Sequence, residues 1–357
     1  MPLPSAAPIV PRYSADALTR VIPEILNSTR RSSVLFVLDG LGWEQLTSRW
    51  HLAPNLQAMT GGFITTVTPS TTATALTSLT TGLEPAEHGV VGYRMVIDGE
   101  VLNTLRWGTK DIPDARRVMP PEVVQPYAPF LGQSIGMVNK AEFRTSGFSR
   151  AHLRGTELTG YRTLGTLIEE VVRLVREGTS FVYTYYDGID KVSHEYGLAA
   201  EFDSELVLCD WLVGQLLQRL PSGTQVQVTA DHGQVDCRDG ERPIDAEVLS
   251  LVRGLSGEGR FRWLHAGAAG VDELLAAATE RHGHHAWVRS LDQIADEGWF
   301  GRSMSAGVRR RLGDVALVPF EPISFIDPDD NGPYVLVGRH GSLTSAEMYV
   351  PRLTATV

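Results

Sequence analysis

Four short runs of apolar residues in this chain share one pattern, in which each run ends at Asp or His and a Gly follows closely. The four segments are 34–40, 181–190, 226–233 and 334–341. Their β-branched and aromatic residues are typical of strands in a buried parallel sheet. Because ligands bind outside the carboxyl ends of such strands, the pattern predicts that the polar residues after these runs meet at one rim of the sheet.

Helical patterns lie between these runs. Residues 161–177 and 201–220 are the clearest predicted helices, and apolar residues in the second recur at helical spacing. A helix is also predicted at 71–81, beginning at a Thr pair and ending before Gly82. This alternation of helices and strands predicts an α/β fold with a doubly wound, mostly parallel sheet flanked by helices.

The composition changes between Arg253 and about Asp327. We expect a smaller inserted α+β subdomain at 254–327, within a core formed by 30–253 and 328–357. An N-terminal arm at 1–29, which is Pro-rich and then weakly helical, precedes the core. The elements expected in the insert are strands at 261–265, 286–288 and 314–319 and a helix at 271–282.

Bulk composition narrows the class of protein. The chain has 357 residues, enough for a large core, and its formal charge of -10 argues against a protein that mainly binds nucleic acid. Cys209 and Cys237 have no CxxC spacing, which fits a reducing compartment. No apolar run is long enough to cross a bilayer, and the first residues lack a signal-peptide pattern. We expect a cytoplasmic protein with no membrane partner, and its oligomeric state stays open.

The polar residues after the four runs are suited to binding metal ions. Oxygen and nitrogen ligands in this number suit two divalent ions, which together can activate a nucleophile and stabilise a leaving oxygen in phosphoryl transfer. Asp187 competes with Asp190 for one position, but only Asp190 has a His four residues later that would share a helical turn with it. The six candidate ligands are Asp39, Asp190, His194, Asp231, His232 and His340.

The Thr pair at 71–72 supplies a candidate nucleophile. Thr72 is predicted at the N-terminus of a helix, where the free amides and the helix dipole favour an alkoxide and a bound anion. A nearby metal would lower the hydroxyl pKa further. Without the metal motifs, Thr71 or Thr72 would simply be a capping residue, and we expect Thr71 to cap the helix.

The ordered set of motifs resembles the nucleotide pyrophosphatase/phosphodiesterase family of the alkaline phosphatase superfamily. In that family a strand ends in Asp, a Thr lies at a helix start, and Thr-Gly-Leu-x-Pro-x-x-His-Gly follows. Later come Asp-x-x-x-His-x-x-Gly, Asp-His-Gly and a final His-Gly. The matching segments here are Asp39, Pro69 to Thr72, Thr81 to Gly89, Asp190 to Gly197, Asp231 to Gly233, and His340-Gly341.

The resemblance implies a division of the ligands between two ions. One ion would be held by Asp190, His194 and His340, and the other by Asp39, Asp231 and His232, with Thr72 bridging toward the second as the nucleophile. Both ions in this family are usually zinc, and manganese is the alternative that we keep.

Two positions depart from the family pattern. The residue before the second-motif His is commonly Gly and is Ser193 here. The family also tends to place an Asn after the nucleophile helix to hold a phosphoryl oxygen; Tyr93 stands near that position, and Asn103 or Asn139 could replace it.

Some other residues invite a functional interpretation. His282, His284 and His285 form a cluster that we expect to be a solvated loop and not a metal site, since it follows a predicted surface helix. Arg106 and Trp107 are candidates for lining a leaving-group pocket.

The sequence therefore predicts a two-metal hydrolase of phosphate diesters or nucleotide pyrophosphates that acts through a phosphothreonine, with a small-molecule, nucleotide-like substrate. A phosphomonoesterase or phosphonate hydrolase on the same scaffold is the nearest alternative. A sulfatase is disfavoured because neither cysteine lies in the sequence context that formylglycine formation requires. A catalytically silent binding protein is disfavoured because all six ligands and a nucleophile are present.

Overall fold

The computed structural model describes residues 7–29, 32–330 and 336–357. The strands are β1 (Ser33–Leu38), β2 (Thr60–Thr65), β3 (Arg94–Ile97), β4 (Glu100–Asn103), β5 (Gly136–Lys140), β6 (Leu158–Tyr161), β7 (Phe181–Tyr186), β8 (Gln225–Thr229), β9 (Val235–Asp236), β10 (Glu241–Arg242), β11 (Val252–Glu258), β12 (Phe261–Ala266), β13 (Ala286–Ser290), β14 (Val315–Pro319), β15 (Ser324–Phe325), β16 (Gly338–Arg339) and β17 (Tyr349–Thr356).

The α-helices are interspersed with these strands along the chain. They are α1 (Val21–Leu26), α2 (Trp43–Thr47), α3 (Pro54–Gln57), α4 (Thr72–Thr81), α5 (Pro85–His88), α6 (Pro121–Val124), α7 (Gly147–His152), α8 (Leu164–Arg176), α9 (Gly188–Tyr196), α10 (Ala200–Arg219), α11 (Ala246–Ser250), α12 (Val271–His282), α13 (Leu291–Asp296), α14 (Ala306–Arg309) and α15 (Ser345–Met348).

The central sheet has seven strands among the described residues, in the order β2-β17-β8-β1-β7-β5-β6. Strands β8, β1, β7, β5 and β6 pair in parallel, whereas β17 is antiparallel to both β8 and β2. Every residue of β1 is buried, as expected for a central strand covered on both faces. The predicted α/β fold with a mostly parallel sheet flanked by helices is confirmed.

The register of the three central strands sets up the site. Leu38 at the end of β1 is paired with Tyr186 at the end of β7, and Val37 is paired with Thr229 at the end of β8. The residues that follow these strands therefore emerge side by side at one edge of the sheet, as the strand pattern predicts.

The prediction of a fourth parallel strand before His340 is wrong. Tyr334 and Val335 lie outside the described residues, and of the remainder only Gly338 and Arg339 form a strand, β16. This strand pairs antiparallel with β9 outside the central sheet. The chain runs along the rim there because its backbone binds a neighbouring helix: the Val337 amide donates to the His194 carbonyl at 2.7 Å.

The predicted helices are close to those observed. Helix α4 begins at Thr72 and ends at Gly82, which takes a φ of 72° at the C-cap. The helix predicted from residue 161 begins instead at Leu164, because the Thr163 side chain caps it and Tyr161 ends strand β6.

The segment after β10 forms a separate antiparallel sheet in the order β11-β12-β14-β13. The expected strands and helix of this segment are present, but β11 was not foreseen. One side of the sheet packs on α12 in its own apolar cluster, whereas Phe261 and Trp263 belong to the main core. The hairpin between β11 and β12 reaches the rim of the central sheet with Glu258 and Gly259. None of the described helices is long and apolar enough to cross a membrane.

Candidate metal centre and nucleophile

Two of the candidate carboxylates follow central strands: Asp39 comes directly after β1, and Asp231 lies two residues after the end of β8. Asp39 and Asp231 are 2% and 0% exposed. One oxygen of each is anchored: Asp39 Oδ2 accepts from the Tyr185 hydroxyl, and Asp231 Oδ1 accepts from the Gly40 amide at 3.1 Å. The other oxygens, Asp39 Oδ1 and Asp231 Oδ2, are buried without a hydrogen-bond partner, and each lies 3.4 Å from Nε2 of His232.

Gly40 makes this close approach feasible. Its φ of 77° is in the left-handed region, which favours glycine. A Cβ at this position would lie 3.1 Å from the Cα of Asp190 and 2.8 Å from Nε2 of Gln234. The strand end therefore packs directly against helix α9, which carries Asp190.

All three candidate histidines are oriented in the same way. Nδ1 of His194 faces the Gly338 carbonyl at 2.7 Å, Nδ1 of His232 faces the Gly233 carbonyl at 3.1 Å, and Nδ1 of His340 faces the Ser70 carbonyl at 2.9 Å. Because a carbonyl only accepts, each Nδ1 carries the hydrogen. Each Nε2 is then left with its lone pair, which is the form that binds a metal.

The ligand atoms converge in two overlapping groups. Atoms of Asp190, His194 and His340 all lie within 4.8 Å of one another, and so do atoms of Asp39, Asp190 and His232. The first group is the one that the family resemblance implies. The second contains Asp190, while Asp231 joins it through its 3.4 Å approach to His232. Asp190 thus lies between the two groups.

The buried carboxylates of the site favour the binding of a positive charge. Burial raises the pKa of Asp39 well above its usual range, and the nearby charges of Asp231 and Asp190 raise it further. Burial also opposes ionisation of Asp190, but His194 and then the other imidazoles hold the pKa of that carboxyl well below its usual value. Unpartnered, buried carboxylate oxygens are costly unless a cation offsets them. The donor set therefore fits divalent metal ions.

Thr72 begins helix α4 at the edge of this cluster. Its side chain is 8% exposed, and its Oγ1 lies 3.1 Å from Nε2 of His232. Thr71 occupies the N-cap position by its backbone, but its side chain does not cap the helix. The Thr71 hydroxyl instead lies beside Glu258 of the insert, whose pKa it lowers. The prediction that the Thr71 side chain caps the helix is therefore wrong, because this side chain lines the cavity together with Glu258.

Asp187, the competitor of Asp190, is held away from the ligand groups. It lies at the N-cap position of α9, where the ammonium groups of Lys140 and Lys191 both contact its carboxylate. Ser193 is fully buried, and the backbone of Gly338 packs directly on it. A side chain at residue 338 would collide with Ser193. Gly338 therefore makes room for Ser193, which stands where the family commonly has Gly.

Three residues that support the site were not foreseen. Gln234 donates to Asp190 Oδ1 at 2.6 Å, and Tyr185 donates to Asp39. Both follow or belong to a motif strand, so the same strand-end pattern could have indicated them. Glu258 comes from the insert and carries no local signal. Burial raises the pKa of Glu258 to about 8, although the Thr71 hydroxyl lowers it.

A cavity of about 350 Å³ opens beside Thr72. Tyr93, Asn103 and Asn139 are the three candidates for contacting a phosphoryl oxygen. Of these, only Tyr93 lines the cavity. Asn103 Nδ2 donates to the Tyr93 hydroxyl oxygen at 2.7 Å, so Asn103 supports Tyr93. Asn139 lies on β5, where its side chain accepts from the Lys140 amide at 2.7 Å.

The histidine cluster of the insert is neither solvated throughout nor a metal group. His282 is 7% exposed and its Nε2 accepts from the Asp245 amide at 3.2 Å, so the expectation of a solvated loop is wrong for this residue. His285 pairs with Glu321 at 2.6 Å. Neither belongs to a candidate metal-ligand group within the described part of the chain.

Similarity to known proteins identifies the family of this chain. The sequence profile of the type I phosphodiesterase / nucleotide pyrophosphatase family matches residues 33–343. No curated protein sequence matches the chain at a significant level. Human ectonucleotide pyrophosphatase / phosphodiesterase 5 has a similar fold, with a TM-score of 0.68 at 15% identity over 90% of this chain and 87% of that one.

The murine form of the same protein is also similar, in the structure of an inactive variant in complex with AMP. Its TM-score is 0.67 at 14% identity, over 91% of this chain and 88% of that chain. At this identity the likeness establishes the fold, whereas the profile match spans most of the sequence. The chain therefore belongs to the type I phosphodiesterase / nucleotide pyrophosphatase family.

Proposed function

We propose that this protein is a two-metal hydrolase of phosphate diesters or nucleotide pyrophosphates that acts through a covalent phosphothreonine at Thr72. The observation that carries the proposal is the convergence of three imidazole Nε2 atoms and two unpartnered carboxylate oxygens beside the Thr72 hydroxyl. Family membership supports the reaction class.

We assign Asp190, His194 and His340 to one ion, and Asp39, Asp231 and His232 to the other, with Thr72 beside the second. Zinc suits this mixture of imidazole and carboxylate ligands, and manganese is the alternative. When bound, the two ions would lower the pKa of the Thr72 hydroxyl and offset the charge of the reacting phosphoryl group.

The residues of the chain orient this chemistry. Three backbone carbonyls fix the histidines, while Tyr185 and Gln234 fix two carboxylates, so the ligand atoms are held in place before substrate arrives. The amides at the start of α4 face the anionic substrate. Thr72 attacks phosphorus, the leaving group departs with the electron pair of its P–O bond, and water then hydrolyses the phosphothreonine.

A phosphomonoesterase is the second candidate, and one observation favours it. A monoesterase needs a cationic side chain near the third phosphoryl oxygen, and Arg106 lines the same cavity as Thr72. The AMP complex of the murine relative instead suggests a nucleotide-like substrate for this chain. The cavity volume of about 350 Å³ leaves room for a second group on phosphorus.

A substrate panel with metal analysis tests the proposal. We expect the purified protein to hold about two divalent ions per chain and to hydrolyse a nitrophenyl phosphodiester and a nucleotide pyrophosphate faster than a phosphomonoester. Chelation should abolish this activity, and zinc or manganese should restore it. Faster hydrolysis of the monoester would identify the second candidate as correct, and activity that survives full removal of metal would contradict the two-metal proposal.

A further inference from the structure

Within the described part of the chain, the cavity beside Thr72 contains one arginine side chain that has no partner. Three arginines line it, and two of them are paired: Arg260 with Glu347 at 2.6 Å and Arg339 with Glu241 at 2.8 Å. The guanidinium of Arg106 makes no hydrogen bond or ion pair with any residue in the described ranges. The residues outside these ranges contain no Asp or Glu, so every Asp and Glu side chain of this chain lies within the described ranges.

The turn that carries Arg106 is fixed by its neighbours. The side-chain oxygen of Asn103 accepts from the Arg106 amide at 3.0 Å, and its nitrogen donates to the Tyr93 hydroxyl at 2.7 Å. The next residue, Trp107, is fully buried and donates through its indole to the Met119 carbonyl at 2.8 Å. The backbone at Arg106 is therefore anchored on both sides.

Arg106 lies at the mouth of the cavity. Thr72 and His340 are each 8% exposed and form its floor, whereas Arg106 and Leu105 are exposed. A guanidinium at the mouth is placed to reach the part of a substrate beyond the reacting phosphorus. An unpaired guanidinium there presents a fork of N–H donors that can bind two oxygens of one anionic group, and phosphate is the anionic group that this class of substrate supplies.

We propose that Arg106 pairs with a second phosphoryl group of the substrate, so that the enzyme favours pyrophosphate bonds over diesters whose leaving group carries no phosphoryl group. This inference rests on the proposed function and deepens it. As the bond from Thr72 oxygen to phosphorus forms and the hydroxyl proton is released, the bridging P–O bond breaks and its electron pair leaves on the second phosphoryl group. Arg106 offsets the charge that grows there.

Two substrates that transfer the same adenylyl group isolate this effect. In P1,P2-di(adenosine-5') pyrophosphate the leaving group is AMP, and in the p-nitrophenyl ester of AMP it is nitrophenol. For Arg106→Ala we expect kcat/KM to fall about 10- to 100-fold on the pyrophosphate and by less than about 3-fold on the nitrophenyl ester. Arg106→Lys keeps the positive charge but lacks the forked N–H donors of a guanidinium. Its kcat/KM on the pyrophosphate should lie between the values of the parent and Arg106→Ala.

Arg117→Ala is the matched control, because Arg117 is also exposed but does not line the cavity. It should leave both rates unchanged. Equal losses on both adenylyl substrates, or no loss on the pyrophosphate, would overturn the role of Arg106. A loss confined to p-nitrophenyl phosphate would show that Arg106 contacts the reacting phosphoryl group of a monoester instead. If the parent protein hydrolyses neither adenylyl substrate, the proposed function fails as well; if it hydrolyses both, only the role of Arg106 is in question.

Discussion

Thr72 and Thr71 are adjacent threonines with different environments, and this difference predicts different effects of substitution. The Thr72 hydroxyl lies 3.1 Å from Nε2 of His232, whereas the Thr71 hydroxyl lies beside Glu258. Thr72→Ala should lower turnover by at least about a thousandfold, because the attacking group is lost. Its metal content should stay unchanged, since six other ligands remain.

Thr71→Ala serves as the control for this prediction. It should keep most of the activity and lose about 1 kcal/mol of unfolding free energy, as expected for the loss of one buried polar contact. Turnover and metal content of both variants, measured side by side, check the assignment. If Thr71→Ala is inactive and Thr72→Ala is active, the nucleophile has been assigned to the wrong residue.

At the scale of elements, helices α4 and α5 are joined by a buried histidine that must stay neutral. His88 is 1% exposed, its Nδ1 accepts from the Val90 amide at 3.1 Å, and its Nε2 lies 2.7 Å from the Ser78 hydroxyl. Burial, with a contribution from Arg311, lowers the pKa of His88 to about 3. Protonation in the folded state would remove the acceptor that Val90 uses.

This pKa predicts how stability depends on pH. Below the unfolded pKa of about 6.5 the unfolded chain gains a proton at His88 that the folded chain does not bind, so stability falls as pH drops toward 3. Each pH unit in this window costs up to about 1.4 kcal/mol from this residue. His88→Gln should show a shallower loss than the parent when unfolding by urea is measured from pH 7 to pH 4. Parallel curves for the two proteins would contradict the prediction.

The strand ends were predictable because they depend on local sequence. Asp39 and Asp231 directly follow buried β-branched runs, and the parallel register then brings them together. The segment before His340 looks similar in sequence, but its described residues do not form a strand of the central sheet. The position of this segment depends on hydrogen bonds to the backbone carbonyls of His194 and Ser70, which are distant in sequence. Such long-range partners leave no local pattern.

At the scale of the whole molecule, the four-stranded sheet is tied to the core by a buried ion pair. Arg260 on the β11–β12 hairpin and Glu347 on α15 are 1% and 0% exposed and lie 2.6 Å apart. Arg260 also donates to the carbonyls of Glu321 and Ile323. Because the same hairpin carries Glu258 to Thr71, this pair helps to position one wall of the site. No sequence pattern connects residues so far apart.

Removing one partner of this pair should be costly. Arg260→Met leaves Glu347 buried without its counterion, and we expect a loss of about 3 to 5 kcal/mol in unfolding free energy. The matched control is Arg173→Met on α8, where the side chain is 46% exposed beside Glu170 and Glu177. That change should cost less than about 1 kcal/mol. Equal losses in the two variants, measured by chemical unfolding, would contradict the structural role of the buried pair.

The stereochemistry at phosphorus tests the covalent route through Thr72 most directly. Each in-line displacement inverts the configuration of phosphorus, so a reaction through phosphothreonine followed by water gives two inversions. The measurement is hydrolysis of a single diastereomer of a nucleoside phosphorothioate nitrophenyl diester in oxygen-18 water, with the configuration of the product determined afterwards. Net retention is the result that the account predicts, and net inversion would show that water attacks directly and that Thr72 is not the nucleophile.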